Sequence, residues 1–233
     1  VAMTGDGVND APALKASDIG IGMGITGTDV AKGVSNMVLA DDNFATIVVA
    51  VEEGRKIYSN IRKTIQYLLS SNLAEILTIF IGTLLNWEVL KPIHILWVNL
   101  VTDSLPALAI SFEQAESDVM KEPPRDPKAN FFAEGLGVRL IYQGICIGFL
   151  TLLAYYIGGH AYNHEVAMTM AFATLSFIQL FHAFNVRSAD KSLLTIGIFS
   201  NKYVVGAIII AGLMQYLVIA IPALNGLFHT AHL

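Results

Sequence analysis

Beyond Lys63 the chain is a series of long apolar stretches separated by short polar loops, and this pattern constrains the fold more than any motif does. A helix needs about 20 apolar residues to cross the hydrocarbon core of a bilayer. Stretches of that length fall at about 64–86, 93–112, 137–158, 165–186 and 203–224. Composition agrees, with 54% hydrophobic and 14% charged residues against about 25% charged in an ordinary soluble domain. The chain therefore reads as an integral, multi-pass membrane protein, with the lipid bilayer as its main partner. The second stretch carries Asp103 and Pro106 and the fourth Gln179, His182 and Asn185, so neither would be chosen on hydropathy alone. A net charge of −5 supplies no basic field for a phosphate backbone, which excludes nucleic acid as a partner. Cys146 stands alone, which excludes a disulfide framework and a Cys-based zinc site.

Loop charges give an orientation. Arg55, Lys56, Arg62 and Lys63 precede the first span, Lys121, Arg125 and Lys128 follow the second, and Arg187, Lys191 and Lys202 follow the fourth, while the other side offers Lys91. By the positive-inside rule residues 1–63 and the 113–135 loop are cytoplasmic. The N-terminus has no signal-peptide pattern and begins inside a motif, so the chain reads as part of a longer one; the competing reading is a small, self-sufficient membrane protein.

In TGDGVNDAPAL (Thr4–Leu14) two glycines bracket Asp6, and a second carboxylate follows at Asp10. Glycine permits close backbone approach to an anion, and Asp6, Asn9 and Asp10 offer the oxygen ligands that Mg2+ prefers. The segment is either a phosphate-and-magnesium corner or a plain turn. Asp18–Gly24 (DIGIGMG) alternates Ile with Gly as a short buried strand does, Thr28–Gly33 reads as a short helix and Ser35–Leu39 as a further strand. The expected fold class is mixed: a partial α/β piece over 1–50, a connecting stalk helix over 51–63, and an all-α bundle of five membrane helices over 64–233. The stalk, free of Pro and Gly after Gly54, either transmits movement into the first span as a rigid rod or only anchors at the lipid surface.

Within the membrane, Asn72 and Glu75 lie three residues apart, and Asn99, Thr102 and Asp103 follow at i, i+3 and i+4, so each set shares one helix face. A charge at mid-bilayer costs about 2.5–3.5 kcal/mol even on the gentle insertion scale, so Glu75 and Asp103 need a partner. Either a cation is bound, or the carboxyls are protonated or near an interface. The near-central positions and the absence of Lys and Arg from both spans favour a cation. Pro106 removes an N–H and is expected to disturb the helix just after Asp103, exposing carbonyls to an ion. Ca2+, with six to eight oxygens at flexible geometry, suits these side chains better than Mg2+ does. Gln179 is either a further ligand or an interhelical hydrogen-bonding group; His182 reads as a packed polar residue, with a proton relay as the competing role.

TGDGVNDAPALKASDIGIGMG resembles the phosphorylation-domain signature of P-type ATPases, cation pumps with a haloacid-dehalogenase-like core. The resemblance covers the chain from the end of that domain through the fifth to ninth of the family's ten membrane helices. It implies that Asp6 coordinates the catalytic Mg2+, that Asn9 hydrogen-bonds around the phosphoryl group and that Asp10 organises the site, with Thr4 and Gly5 supporting the loop. Asn72, Glu75, Asn99, Thr102 and Asp103 match the ion ligands of calcium-transporting members on the fifth and sixth helices, and Gln179 takes the place of an eighth-helix glutamate. The phosphorylated aspartate of a DKTGT motif and the nucleotide domain have no counterpart here. The implied function is thus the C-terminal part of an ATP-driven pump, with Ca2+ as the favoured cargo, in the plasma membrane; ATP is bound by the N-terminal remainder of the same pump, and this stretch alone is not expected to be active. The alternatives are a pump for Na+ or Mn2+ and a non-enzymatic membrane module derived from a truncated pump. A soluble phosphatase would explain the first motif but none of the spans.

Overall fold

The computed structural model describes residues 1–114, 119–126, 128, 130–133, 135–188 and 191–231. They form two compact units, one built on Val1–Lys56 together with 119–121 and the other on the rest of the chain from Ile57 onward.

The first unit has three parallel strands, β1 (Ala2–Gly5), β2 (Ile19–Met23) and β3 (Met37–Leu39), in the order β1-β2-β3. Helix α1 (Ala11–Ala16) links the first pair and α2 (Asp29–Val34) the second. Thr28 caps α2 by accepting the Ala31 N–H. Leu14, Ile21, Ala31 and Leu39 are fully or nearly fully buried and form the small core. The alternating glycines of β2 have a steric cause: a Cβ at Gly20 would lie 2.5 Å from the Leu14 carbonyl oxygen, and one at Gly24 2.4 Å from that of Leu39. Backbone from α1 and β3 occupies the space a side chain would need.

Five helices among the described residues are long and apolar enough to cross a membrane. The first, α3 (Phe44–Leu84), is a single 41-residue helix, about 60 Å at 1.5 Å per residue. Stalk and first span are therefore one element, which starts earlier than the sequence suggested because neither Gly54 nor any proline interrupts it. The second span is composite: α4 (Pro92–Trp97), a π-helical turn (Val98–Asp103) and α5 (Ser104–Ile110). The expected irregularity is present, but it ends at Asp103 and does not follow it. An α-helical Thr102 carbonyl would meet the Pro106 ring, and the widened π turn moves it aside. There follow α6 (Leu136–Ala161), α7 (His164–Asn185), the short α8 (Leu193–Ile196), α9 (Lys202–Ala220) and α10 (Pro222–Phe228). The last span ends at Ala220, short of the expected 224, because Pro222 starts a new helix.

Glycine lets α6 approach its neighbours. A Cβ at Gly158 would stand 2.7 Å from the Ala167 Cα on α7, and one at Gly144 2.8 Å from a Leu73 methyl on α3. Beyond the helix ends lies a buried ion pair. Arg187 donates Nε–H and Nη2–H to the two carboxylate oxygens of Glu113, each at 2.9 Å, and Nη1–H to the carbonyls of Gly197 and Ile198. Asn201, the cap of α9, adds a third donor to the Glu113 carboxylate at 2.8 Å, and Asn60 of α3 donates to the Glu113 carbonyl at 2.8 Å.

Candidate functional site

In the first unit all three parallel strands deliver residues to their carboxyl ends, where open α/β sheets bind ligands. Thr4, Gly5, Asp6 and Asp10 line a shallow depression there with Met23, Thr26, Asp42 and Phe44. Asp10 Oδ2 accepts the backbone N–H groups of Asp6 (3.0 Å) and Gly7 (2.9 Å). These bonds, that from Gly7 foremost, hold its carboxyl below the usual range. Gly5 is required beside it, since a Cβ would fall 2.6 Å from the Asp10 Cβ. The Asp6 side chain is exposed, and Asn9 is exposed on the same turn but outside the lining.

Sequence reasoning missed Asp42. Its carboxylate accepts the N–H groups of Gly24 (2.6 Å), Ile25 (3.0 Å) and Thr26 (2.8 Å) and the Thr26 hydroxyl (2.8 Å). The Ile25 hydrogen bond leads in lowering its pKa to about 2. Its φ of 50° lies in the left-handed region, which Asp tolerates better than most residues. An acid just past the end of a short strand was the available signal.

In the second unit α3, the π turn and α7 bring their polar side chains together in the bundle. Glu75 is 5% exposed; its Oε2 accepts from Asn99 Nδ2 at 2.9 Å and its Oε1 from Gln179 Nε2 at 3.3 Å. Asp103 is 1% exposed, and its Oδ1 accepts from the Tyr67 hydroxyl at 3.2 Å. The same hydroxyl lies 3.2 Å from the Thr102 carbonyl, the oxygen that an α-helical Pro106 N–H would have engaged. Thr102 is buried, with its hydroxyl on its own helix at Val98 O, 2.9 Å away. Asn72, half-buried, stands one turn before Glu75. The layer lies between two apolar clusters, one with Ala107, Ile110 and Ala183, the other with Ala74, Val98 and Leu175.

Asp103 Oδ2 and Gln179 Oε1 are buried acceptors without a hydrogen-bond partner among the described residues, as are the hydroxyls of Ser71 and Thr78. Unsatisfied buried acceptors are costly, and a hard cation suits the Asp103 and Gln179 oxygens, which can only accept. Among the described residues no group of three His, Cys, Asp or Glu forms a metal cluster, so two carboxylates need completion by neutral oxygens. Asn99 is exposed and turns its NH2 group, not its oxygen, toward Glu75.

Five candidate spans with a buried acidic layer define a multi-pass membrane protein, and comparison with known sequences gives its family. Residues 87–233 match the family described as cation transporting ATPase, C-terminus, and the chain belongs to that family. Over nearly its whole length it is similar to proteins named as calcium pumps. It is 52% identical over 246 residues to "Calcium-transporting ATPase 1" of Bacillus cereus (98% of this chain, 28% of that protein). It is 53% identical over 233 residues to "Calcium-transporting ATPase" of Bacillus subtilis (99% and 26%), and 42% identical over 261 residues to "Endoplasmic reticulum calcium ATPase srcA" of Aspergillus fumigatus (98% and 27%). The chain thus spans about a quarter of the length of these relatives, and it is a multi-pass membrane protein.

Proposed function

We propose that the chain is the C-terminal part of a P-type pump that moves Ca2+ out of the cytoplasm, with the transport site formed by Asn72, Glu75, Asn99, Thr102, Asp103 and Gln179. One observation carries the reading: Asp103 Oδ2 and Gln179 Oε1 are buried acceptors unpaired among the described residues, in a layer built from the apolar stretches 64–86, 93–112 and 165–186, which contain no Lys or Arg. A cation bound there would satisfy both and offset the burial of Glu75 and Asp103. Thr102 contributes its backbone carbonyl, which has no helical N–H from Pro106 and keeps a lone pair beside the Tyr67 hydroxyl, rather than its own hydroxyl. The Asn99 amide would turn over to present oxygen, a rotation that exchanges groups of nearly equal shape.

The first unit is, on this reading, the end of a haloacid-dehalogenase-like phosphorylation domain, facing the cytoplasm with residues 1–63, the parent pump lying in the plasma membrane. ATP and the aspartate it phosphorylates belong to the N-terminal remainder. The oxygen donors of the depression fit Mg2+, with Asp6 as the ligand; bound there, Mg2+ would supply neutralising charge to a phosphoryl group. Asp10, fixed on the Asp6 and Gly7 amides, holds the loop in shape, and Asn9 reaches the phosphoryl group from its exposed position. The Mn2+- and Na+-pump readings use the same site.

The test is phosphoenzyme formation from ATP by the full-length protein in membranes, titrated with Ca2+, Mn2+ and Na+, beside Asp103→Asn. The expected result is dependence on micromolar Ca2+ that the substitution abolishes. Dependence on Na+ or Mn2+ alone would replace the ion, and no phosphoenzyme with any cation would leave a non-enzymatic membrane module.

A further inference from the structure

His182 has a place in the bundle that the proposed ion site does not use. It lies one turn beyond Gln179 on α7, is 3% exposed, and its Nε2 is 2.9 Å from Ser70 Oγ on α3. The Ser70 hydroxyl has one proton, and its oxygen also lies 2.7 Å from the Gln66 carbonyl. With Ser70 donating to the Gln66 carbonyl, the tautomer protonated on Nε2 lets His182 donate to the Ser70 oxygen. That contact orients the imidazole. Its face is stacked on the Tyr67 ring, with centroids 5.9 Å apart and planes at 27°. Tyr67, wholly buried, holds Asp103 Oδ1 and the Thr102 carbonyl through a single hydroxyl proton.

His182 also lines a cavity of about 380 Å3 with Gln143 and Asn185. The ring is thus not enclosed by close packing on every side, and its hydrogen bond and stacking contact set where it lies. Gln179 and His182 grip α3 at two points, at Glu75 and at Ser70, which fixes the register of the two helices across the acidic layer.

We infer that His182 is a positioning residue of the cation site: through Ser70 and Tyr67 it seats Asp103 so that Oδ2 is presented to the ion. This rests on the reading of Glu75 and Asp103 as ion ligands. It differs from a packing role, because His182 acts on cation affinity through the Tyr67 hydroxyl and not on the amount of folded protein.

The experiment is Ca2+-titrated phosphoenzyme formation by the full-length pump in membranes, with His182→Phe, His182→Gln, Ser70→Ala, Tyr67→Phe and the double variant His182→Phe/Tyr67→Phe. His182→Phe keeps a ring on Tyr67 and removes the donor. It should raise the half-maximal Ca2+ concentration about three- to tenfold, the fold-change that one net hydrogen bond represents, with the level at saturating Ca2+ retained. His182→Gln, which can place an amide N–H near Nε2, should recover part of the shift. The double variant should be no worse than Tyr67→Phe alone. An unchanged half-maximal concentration, a lowered maximum without a shift, or additive single effects would overturn the inference. Should His182→Phe fail to reach the membrane, Ser70→Ala removes the acceptor within a helix at no steric cost and must give the same shift; its absence refutes the inference equally. A wild-type protein without Ca2+-dependent phosphoenzyme would refute the ion-site reading and this inference with it, whereas a responsive wild type with silent variants refutes the inference alone.

Discussion

The Glu113–Arg187 pair offers a quantitative test of what holds the ends of the spans. Glu113 is 4% and Arg187 1% exposed, and their two hydrogen bonds of 2.9 Å are matched in a bidentate fork. Removing one member of a buried pair leaves the other desolvated and uncompensated, at about 3–5 kcal/mol. The two single variants should differ within that range. Glu113→Ala leaves Arg187 its bonds to the Gly197 and Ile198 carbonyls, so it belongs near the lower end. Arg187→Met strands a carboxylate on its one remaining described donor, Asn201, and frees those two carbonyls, each worth about 1 kcal/mol; it belongs near the upper end. The double variant removes both charges, so its cost should fall below the sum of the singles by about 2–3 kcal/mol. Unfolding of the full-length protein in mixed micelles, titrated with SDS and followed by tryptophan fluorescence, measures all three. Additive singles, or a Glu113 variant at least as damaging as the Arg187 one, would refute the reasoning.

Further predictions concern the loop, the π turn and the helix interface. The folded-state pKa of Asp42 is lowered from 3.8 to about 2, so its contribution is present above the ordinary carboxylate pKa and is lost as pH falls from about 4 through about 2. Protection of the Gly24–Thr26 amides, read by mass spectrometry as exchange relative to the intrinsic rate at each pH, should fall in that window, and Asp42→Asn should lack this pH-dependent fall; a wild type whose protection is the same at about pH 4 and about pH 2 would show that the hydrogen bonds do not persist in solution. Pro106→Ala returns an N–H that competes with Tyr67 for the Thr102 carbonyl, and should raise half-maximal Ca2+ for phosphoenzyme formation about three- to tenfold; no change would mean that the carbonyl is not used. Gly158→Val places branched carbons where even a Cβ lies 2.7 Å from the Ala167 Cα, so α6 and α7 must separate, and detergent stability should fall by about 1–3 kcal/mol as in overpacked cores; wild-type stability would contradict the close approach.

The spans were legible because a bilayer imposes a length and a polarity on any helix that crosses it. That rule placed the starts of the last four within one residue, at 92, 136, 164 and 202. It could not place the start of the first, because hydropathy reports where a helix enters lipid and not where its hydrogen bonding begins. Strand β2 was legible from the Ile–Gly alternation and β3 from the apolar run of Ser35–Leu39, whereas β1 was not read as a strand. Asp42 was not, because its role depends on where β3 delivers the chain beside the loop after β2, an arrangement of segments 16 to 18 residues apart.

The amino-acid sequence alone determined which residues share a helix face: Asn72 with Glu75, and Asn99 with Thr102 and Asp103, since a 3.6-residue period needs no knowledge of neighbours. It also determined that two acids lie in apolar stretches without Lys or Arg. Which atoms of those residues are spent and which remain was decided by tertiary structure. The Thr102 hydroxyl is engaged by its own helix, the Asn99 amide points its nitrogen at Glu75, and Asp103 keeps one oxygen unpaired while Tyr67, from another helix, takes the other. Periodicity fixes direction around a helix axis, but hydrogen-bond partners depend on the separation and register of different helices, which only the packing of α3, the π turn and α7 establishes.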